Sequence, residues 1–291
     1  MSDFVPWNSQ PYEEWSERYA KGAFIDLNGR KTHYLEKGDG PPLILLHGFN
    51  FDSYTWVANI DALAAEFKVY APDLWGLGYS TRDRLDYGYP LYVEQIQLFM
   101  DVLNIEKASL VGHSMGGGTV MLFALNNRSR VEKLVLVDAT GYPQSLPLRG
   151  RFFQLPYVSE FLFGLNNNAI RRKNISDYWL YNKDLITDHY FEEAMRFQKI
   201  KGTNEILLEI LRKNFFFTLE DEIRQLGQME VPTLVILGRM DTTVHLDTAE
   251  GTHRLLKGSK LEIIENAGHM PNFDQPEVFN KITLDFLTTD D

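Results

Sequence analysis

The sequence predicts a doubly wound, parallel α/β sheet that is interrupted once by a helical insertion. Short continuous apolar runs, typical of strands covered on both faces, alternate with helical patterns over residues 43–137. The same alternation resumes at residue 233 and continues to residue 287. Between these parts, residues 142–228 hold helical stretches that are heavy in aromatic side chains, with no clear buried strand, so we expect an insertion there.

The individual elements follow from local patterns. Asn28-Gly29 lies between two β-like runs and is the strongest short hairpin signal. The predicted elements are, in order, a surface arm over residues 1–21, strands at 23–27, 32–36 and 43–46, a helix at 56–67, a strand at 69–71, a helix at 91–103, strands at 108–111 and 134–137 around a helix at 119–125, and, after the insertion, strands at 233–237 and 261–264 with helices at 248–256 and 276–287.

Charge and composition exclude several classes of function. The chain has 29 Lys and Arg against 40 Asp and Glu, a net charge of −11, which argues against nucleic acid or an anionic membrane as partner. It has no cysteine, which excludes a thiol nucleophile and thiolate metal sites. No stretch approaches the ~18 apolar residues of a membrane span, and no signal peptide is recognisable. We expect a cytoplasmic protein that binds a small molecule; the sequence leaves the oligomeric state open.

The segment 112–116 predicts a nucleophilic serine. It reads Gly-His-Ser-Met-Gly, a G-x-S-x-G between an apolar run and a helical run, where this pattern is informative. So sharp a turn puts Ser114 at positive φ, and Gly112 and Gly116 are expected to relieve crowding of its Cβ. Ser114 Oγ should then face solvent at the N-terminus of the next helix, where the helix dipole favours developing negative charge. An incidental serine in a Gly-rich turn is the alternative.

A base and an acid are expected at the same edge of the sheet. His269 follows the predicted strand 261–264, and Asp241 follows the strand 233–237, so both lie at the carboxyl edge, where ligands bind in open α/β sheets. The order Ser114, Asp241, His269 is the one associated with a nucleophile elbow. The alternatives are a structural His269 and an Asp241 that caps the helix near residue 248.

Asp138 is a second candidate for the acid. It comes directly after the predicted strand 134–137, at the same carboxyl edge. We favour Asp241, because it sits several residues past its strand in a loop long enough to reach His269. Asp138 is expected to support the edge of the sheet instead.

Backbone N–H groups are expected to form the oxyanion hole. Met115, immediately after the serine, supplies one, and Phe49, after Gly48 in the loop that follows strand 43–46, supplies the other. We interpret His47 and His113 as structural and Asp73 as a packing or turn residue. No cofactor and no metal ion are expected. 

These motifs together resemble the α/β-hydrolase superfamily. They are Leu-His-Gly-Phe, Pro-Asp-Leu-Trp-Gly-Leu-Gly-Tyr-Ser, Gly-His-Ser-Met-Gly-Gly, Gly-Arg-Met-Asp and Gly-His-Met-Pro, over residues 23–288. The resemblance implies an eight-stranded, mostly parallel sheet with a core of residues 1–141 and 229–291 and a helical cap at 142–228. It also implies that Ser114, Asp241 and His269 form a catalytic triad and that Phe49 and Met115 line the oxyanion hole.

Departures from related families narrow the expected activity. Serine at position 114 disfavours haloalkane dehalogenases and epoxide hydrolases, which use aspartate, and His-Gly-Phe disfavours esterases with His-Gly-Gly-Gly. Hydrolases of carbon–carbon bonds in meta-cleavage products are also similar, and Arg171 or Arg172 could mimic their cap arginine. However, residues 49–51 and Met270 replace their Gly-rich loop and tryptophan. We expect a carboxylic ester hydrolase for small to medium apolar substrates, the alternatives being a carbon–carbon hydrolase and a non-catalytic binding protein.

Overall fold

The computed structural model describes residues 5–144 and 167–289 and contains an eight-stranded sheet. The strand order is β1-β2-β4-β3-β5-β6-β7-β8; β2 pairs antiparallel with β1 and β4, and the other neighbours are parallel. The predicted fold class is therefore confirmed. The strands are β1 Ala23–Leu27, β2 Arg30–Lys37, β3 Pro42–Leu46, β4 Lys68–Pro72, β5 Ala108–His113, β6 Val131–Val137, β7 Thr233–Gly238 and β8 Lys260–Ile264.

Helices cover both faces of the sheet, and others lie in the described part of the segment between β6 and β7. None of those in the described part of the chain is both long enough and apolar enough to cross a membrane. Around the sheet they are α1 Tyr12–Tyr19, α2 Ile60–Leu63, α3 Tyr89–Val102, α4 Met115–Asn126, α9 Leu246–Leu255, α10 Pro271–Asp274 and α11 Pro276–Thr288; between β6 and β7 they are α5 Asn168–Asn174, α6 Asp188–Met195, α7 Thr203–Lys213 and α8 Glu220–Leu226.

The central strands are apolar on both sides because each face of the sheet has its own core. In β5, Leu110 packs into the core shared with α3 and α4, and Val111 packs into the opposite core, which contains Trp56 and Phe279. All six β5 residues are buried. This arrangement explains why the sequence shows continuous apolar runs instead of strict alternation.

One predicted helix is shorter than expected. In place of a helix over residues 56–67, a 3₁₀ turn at Ser53–Trp56 is followed by α2. Asn59, between them, donates from its side-chain amide to the backbone oxygen of Asn272 (2.8 Å) and to Oδ1 of Asn280 (2.9 Å). The backbone of Asn59, at φ −121° and ψ −32°, is not helical, and it separates the 3₁₀ turn from α2.

The N-terminal arm (residues 5–20) joins the core to the inserted segment between β6 and β7. The backbone N–H groups of Asn8 and Ser9 donate to the carbonyls of Gln198 (3.0 Å) and Lys199 (2.9 Å). On the core side, Tyr12 Oη donates to the carbonyl oxygen of Tyr79 at 2.9 Å. The predicted surface arm is therefore partly helical, and it ties two parts of the fold together.

Asp73 organises the loop after β4. Its carboxylate accepts from the backbone N–H groups of Ser53 and Tyr79 and from His33 Nδ1, each at 2.7 Å. Because His33 Nε2 faces the carbonyl oxygen of Lys21, both ring nitrogens face acceptors, which favours the imidazolium form. Burial lowers the pKa of His33, but the negative charge of Asp73 more than offsets this effect, so the pKa of His33 is raised overall. Burial raises the pKa of Asp73, but His33 outweighs this effect, so the pKa of Asp73 falls to about 2.

Asp73→Asn is expected to lower the free energy of unfolding at pH 6 by about 3–5 kcal/mol, because it leaves His33 buried without its counter-ion. Because the pKa of His33 is raised in the folded protein, protonated His33 stabilises the fold fully at a pH below about 6.5, the ordinary pKa of histidine. This contribution is lost as the pH rises through the raised pKa. Because the pKa of Asp73 is lowered, the charged carboxylate stabilises the fold fully at a pH above about 3.9, the ordinary pKa of aspartate. This contribution is lost as the pH falls through about 2. Urea unfolding should therefore show the largest difference from wild type between about pH 4 and 6.5.

The matched control for this variant is Asp39→Asn, which changes an exposed carboxylate in the turn before β3. It should change the free energy of unfolding by less than about 0.5 kcal/mol. Equal loss in both variants, or a loss for Asp73→Asn that does not depend on pH, would contradict the ion pair.

Candidate active site

Ser114 occupies a sharp turn between β5 and α4. Its φ is 52° and its ψ is −119°, a conformation that residues other than glycine rarely adopt. The turn is held from both sides, since the N–H of Ser114 donates to the carbonyl of Val137 (2.9 Å) and its carbonyl accepts from the N–H of Thr140 (3.0 Å). The predicted positive φ is therefore present, and it persists because the surrounding backbone fixes it.

The glycines around the turn relieve close backbone approaches. A Cβ at Gly112 would lie 2.5 Å from the carbonyl oxygen of Gly116, and one at Gly116 would lie 2.5 Å from that of Leu46. A Cβ added at Gly48 would lie 2.8 Å from the Cβ of Ser114. The loop after β3 thus packs directly on the serine.

Ser114 is enclosed, so the expectation that it faces solvent is wrong. Its exposed fraction is 6%. Aromatic pairs join the loop after β3 to the inserted segment: the Phe51 and Trp179 rings are 4.3 Å apart, and those of Phe49 and Phe216 are 5.6 Å apart. These contacts hold the inserted segment against the loop that packs on Ser114 at Gly48, which the local pattern of the turn could not reveal.

His269 and Asp241 form a buried hydrogen-bonded pair. His269 Nδ1 lies 2.7 Å from Asp241 Oδ2, and the two side chains are 4% and 0% exposed. Oδ1 of Asp241 accepts from the backbone N–H groups of Thr243 (2.6 Å) and Val244 (3.1 Å), which fixes the carboxylate. Asp241 does not cap the next helix, because α9 begins after His245.

His113 connects the serine turn to the histidine loop. Its Nε2 lies 2.6 Å from the carbonyl oxygen of His269, and the two rings are 4.8 Å apart. Burial and the neighbouring His269 hold the pKa of His113 well below its ordinary value, so the ring is neutral and Nε2–H donates. Since His113 directly precedes Ser114, this bond brings the nucleophile and base candidates together. Sequence analysis had given His113 a structural role without this link.

Asp138 lies beside this pair at the end of β6. Its Oδ1 accepts from the N–H of Gly238 at 2.9 Å, which supports the edge of the sheet as expected. One ligand atom each from Asp138, Asp241 and His269 lie within 4.8 Å of one another, a spacing that a metal ion could bridge. Because His269 Nδ1 and Asp241 Oδ2 bond to each other, the arrangement is suited to proton transfer instead.

The two oxyanion-hole candidates flank Ser114. Met115 is the first residue of α4, and Phe49 follows Gly48 in the loop after β3. His47 holds that loop: its Nδ1–H donates to the carbonyl oxygen of Gly48 and its Nε2 accepts from the N–H of Leu74, both at 2.9 Å. Burial lowers the pKa of His47, so it remains neutral.

The described aromatic residues of the inserted segment take different positions. Trp179 and Phe216 contact the loop after β3, whereas Tyr178 and Tyr181 are exposed. Phe215 packs against Tyr89 of α3. Five aromatic residues of the segment lie outside the described residues: Phe152, Phe153, Tyr157, Phe161 and Phe163.

Comparison with known proteins establishes the family. The family model of the α/β hydrolase fold matches residues 41–276. The chain belongs to the α/β-hydrolase family. An uncharacterized protein of Mycobacterium tuberculosis is 30% identical over 277 residues, covering 91% of this chain and 81% of that protein.

Other relatives of this α/β hydrolase have named activities. A 2-hydroxy-6-oxo-2,4-heptadienoate hydrolase of Pseudomonas putida is 26% identical over 278 residues, covering 93% of this chain and 97% of that enzyme. Among solved structures, the meta-cleavage product hydrolase CumD of Pseudomonas fluorescens superimposes with a TM-score of 0.78 at 27% identity, covering 91% of this chain and 97% of that chain. The resemblance drawn from the motifs is therefore confirmed at the level of the family.

Proposed function

We propose that this α/β hydrolase cleaves carboxylic esters through an acyl-enzyme formed on Ser114. The observation that supports this most is the buried bond between His269 and Asp241, in a loop that His113, the neighbour of Ser114, also binds. A serine in a strained turn next to a base, with the base oriented by an acid, is the arrangement that acyl transfer requires.

In the proposed mechanism each residue has one role. His269 takes the proton of Ser114 Oγ as this oxygen attacks the ester carbonyl, and the N–H groups of Phe49 and Met115 stabilise the oxyanion. His269 then protonates the leaving alcohol, and water repeats the sequence on the acyl-enzyme. Asp241 accepts the Nδ1–H of His269, which fixes the imidazole tautomer and stabilises the imidazolium.

We propose that residues 142–228 form a cap over this site and line an apolar substrate pocket. The contacts of Trp179 and Phe216 with the loop after β3 support this role. Enclosure by aromatic side chains favours uncharged substrates of small to medium size. The net charge of −11 acts in the same direction, since it repels anions.

Hydrolysis of a carbon–carbon bond in a meta-cleavage product is the second candidate, and Arg171 is the residue that favours it. Arg171 is 4% exposed and donates from Nη1 to Gln198 Oε1, while Gln198 Nε2 donates to Asn50 Oδ1 at 2.7 Å. Burial lowers the pKa of Arg171 to about 10, so it remains a cation at neutral pH. A cation linked to the loop of Phe49 could pair with a substrate carboxylate.

A substrate panel tests the two candidates against each other. We expect kcat/KM for neutral esters to exceed that for dicarboxylate monoesters of the same length, and that for a meta-cleavage product, by a factor of about ten or more, because an apolar pocket in an acidic protein disfavours anions. The panel runs from acetyl to long-chain acyl groups. The reverse order would replace the ester proposal by the carbon–carbon one.

A further inference from the structure

Asp138 is held in an unusual position next to the proposed acid and base. It is 1% exposed, and its φ of 42° lies in the left-handed region that aspartate seldom occupies. Its N–H donates to the carbonyl oxygen of Ile236 (2.9 Å) and its Oδ1 accepts from the N–H of Gly238 (2.9 Å). Both bonds go to β7, so the carboxyl group is fixed at the start of the loop that carries Asp241.

The two neighbouring carboxyl groups have unequal sets of hydrogen-bond donors. Asp241 accepts from His269 Nδ1 and from two backbone N–H groups, whereas Asp138 accepts from the N–H of Gly238, and no donor group of the described residues bonds to its buried Oδ2. Donors favour the charged form of a carboxyl group, and burial near a negative charge favours the protonated form. The charge therefore belongs on Asp241 and the proton on Asp138.

The other charged groups around Asp138 act in the same direction. Burial and the charge of Asp241 hold the pKa of Asp138 well above its ordinary value, against the opposing effect of the Gly238 N–H, and Asp274 of α10 adds to the increase. Asp274 accepts from the N–H groups of Tyr181, Asn182 and Gly268. His269 is the third titratable group of this cluster.

We propose that Asp138 is a positioning residue, whose carboxyl group keeps a proton on Oδ2 at neutral pH and donates it to the carboxylate of Asp241. The two buried carboxyl groups then carry a single negative charge, which balances one imidazolium. Asp241 gains a donor that keeps it directed at His269, as the function proposed above requires. Loss of the proton at alkaline pH would place two carboxylates within 4.8 Å of each other and weaken this orientation.

Two variants distinguish the effect of the proton on Asp138 from the effect of its side chain as a whole. Asp138→Asn keeps a neutral donor and an acceptor for Gly238, and asparagine tolerates positive φ; Asp138→Gly removes the carboxyl group without adding backbone strain. The readout is the second-order rate at which a fluorophosphonate modifies Ser114, followed across pH. The rate for Asp138→Asn at pH 7 should be within about threefold of wild type, and that for Asp138→Gly at least about tenfold lower.

The pH profile distinguishes this role from structural support alone. We expect the wild-type rate to fall at alkaline pH, with the fall absent or moved to higher pH in Asp138→Asn. The proposal would be overturned if the labelling rates of wild type and Asp138→Asn fell identically at alkaline pH. Equal rates for Asp138→Asn and Asp138→Gly at pH 7 would overturn it as well. Thermal unfolding of each variant checks that it is folded.

An infrared measurement tests the protonation independently of any reaction. The C=O stretch of a protonated carboxyl group should be stronger in wild type than in Asp138→Asn at pH 7; the difference spectrum removes contributions of other acids such as buried Asp52, whose pKa burial also raises. No difference would overturn the proposal. If the infrared difference were present but the fluorophosphonate did not label Ser114, the protonation of Asp138 would be supported and the proposed function would be contradicted.

Discussion

Ser114→Ala is expected to reduce kcat for ester hydrolysis by a factor on the order of 10⁶, with KM little changed. The loss is this large because the variant removes the oxygen atom on which the proposed acyl-enzyme forms. The fold should remain, since Ser114 is held by its backbone N–H and carbonyl, which alanine retains. Steady-state kinetics on the best substrate of the panel would measure the effect.

Two controls make this result interpretable. Ser109→Ala removes a buried hydroxyl from β5, the strand that leads to Ser114, and should keep the rate within about twofold. A fluorophosphonate should add its mass to Ser114 in wild type and Ser109→Ala, but not in Ser114→Ala. More than a few per cent activity in pure Ser114→Ala would refute the nucleophile, and an unlabelled wild type would favour a non-catalytic binding protein.

Asp241→Asn is expected to lower kcat by roughly 10⁴ without unfolding the protein. An amide facing His269 Nδ1 stabilises the wrong imidazole tautomer and supplies no negative charge for the imidazolium. The loop should keep its shape, because the amide oxygen can still accept from the N–H groups of Thr243 and Val244. The kcat and the thermal midpoint, measured together, check both statements.

Asp247→Asn is the matched control for this variant, since Asp247 is an exposed carboxylate in the first turn of α9, close in sequence to the same loop. Its rate should stay within about twofold of wild type. Asp138→Asn should lose stability more than rate. If the loss of about 10⁴ occurred in Asp138→Asn while Asp241→Asn remained active, the two carboxyl groups would exchange roles.

The strands of the sheet could be predicted because their signal is local. Each central strand carries an uninterrupted apolar run, as in β5, where Leu110 and Val111 enter opposite cores. The nucleophile turn was equally readable, since its glycines and serine lie within five residues. Parallel topology then brings the residues after β7 and β8 to one edge, which is why Asp241 and His269 could be paired from the sequence.

The features that were missed depend on contacts between distant residues. His113 bonds to the carbonyl of a residue 156 positions later, and no pattern around His113 encodes that partner. Likewise, Phe51 and Trp179, whose contact joins the inserted segment to the loop beside Ser114, lie far apart in the sequence. Asn59, just before the shortened helix α2, also binds a distant residue, Asn272, 213 positions away.

The attachment of the N-terminal arm also bears on how the chain acquires its final form during synthesis. Asn8 and Ser9 are synthesised about 190 residues before their partners Gln198 and Lys199. Contacts so distant in sequence form late, since the intervening chain must first be ordered. Through Tyr12 the arm can meet Tyr79 soon after that residue is made, but Trp15 must wait for its acceptor, the carbonyl oxygen of Arg196. The link between the core and the inserted segment is therefore completed in two stages, an early one on the core side and a late one on the side of the insertion.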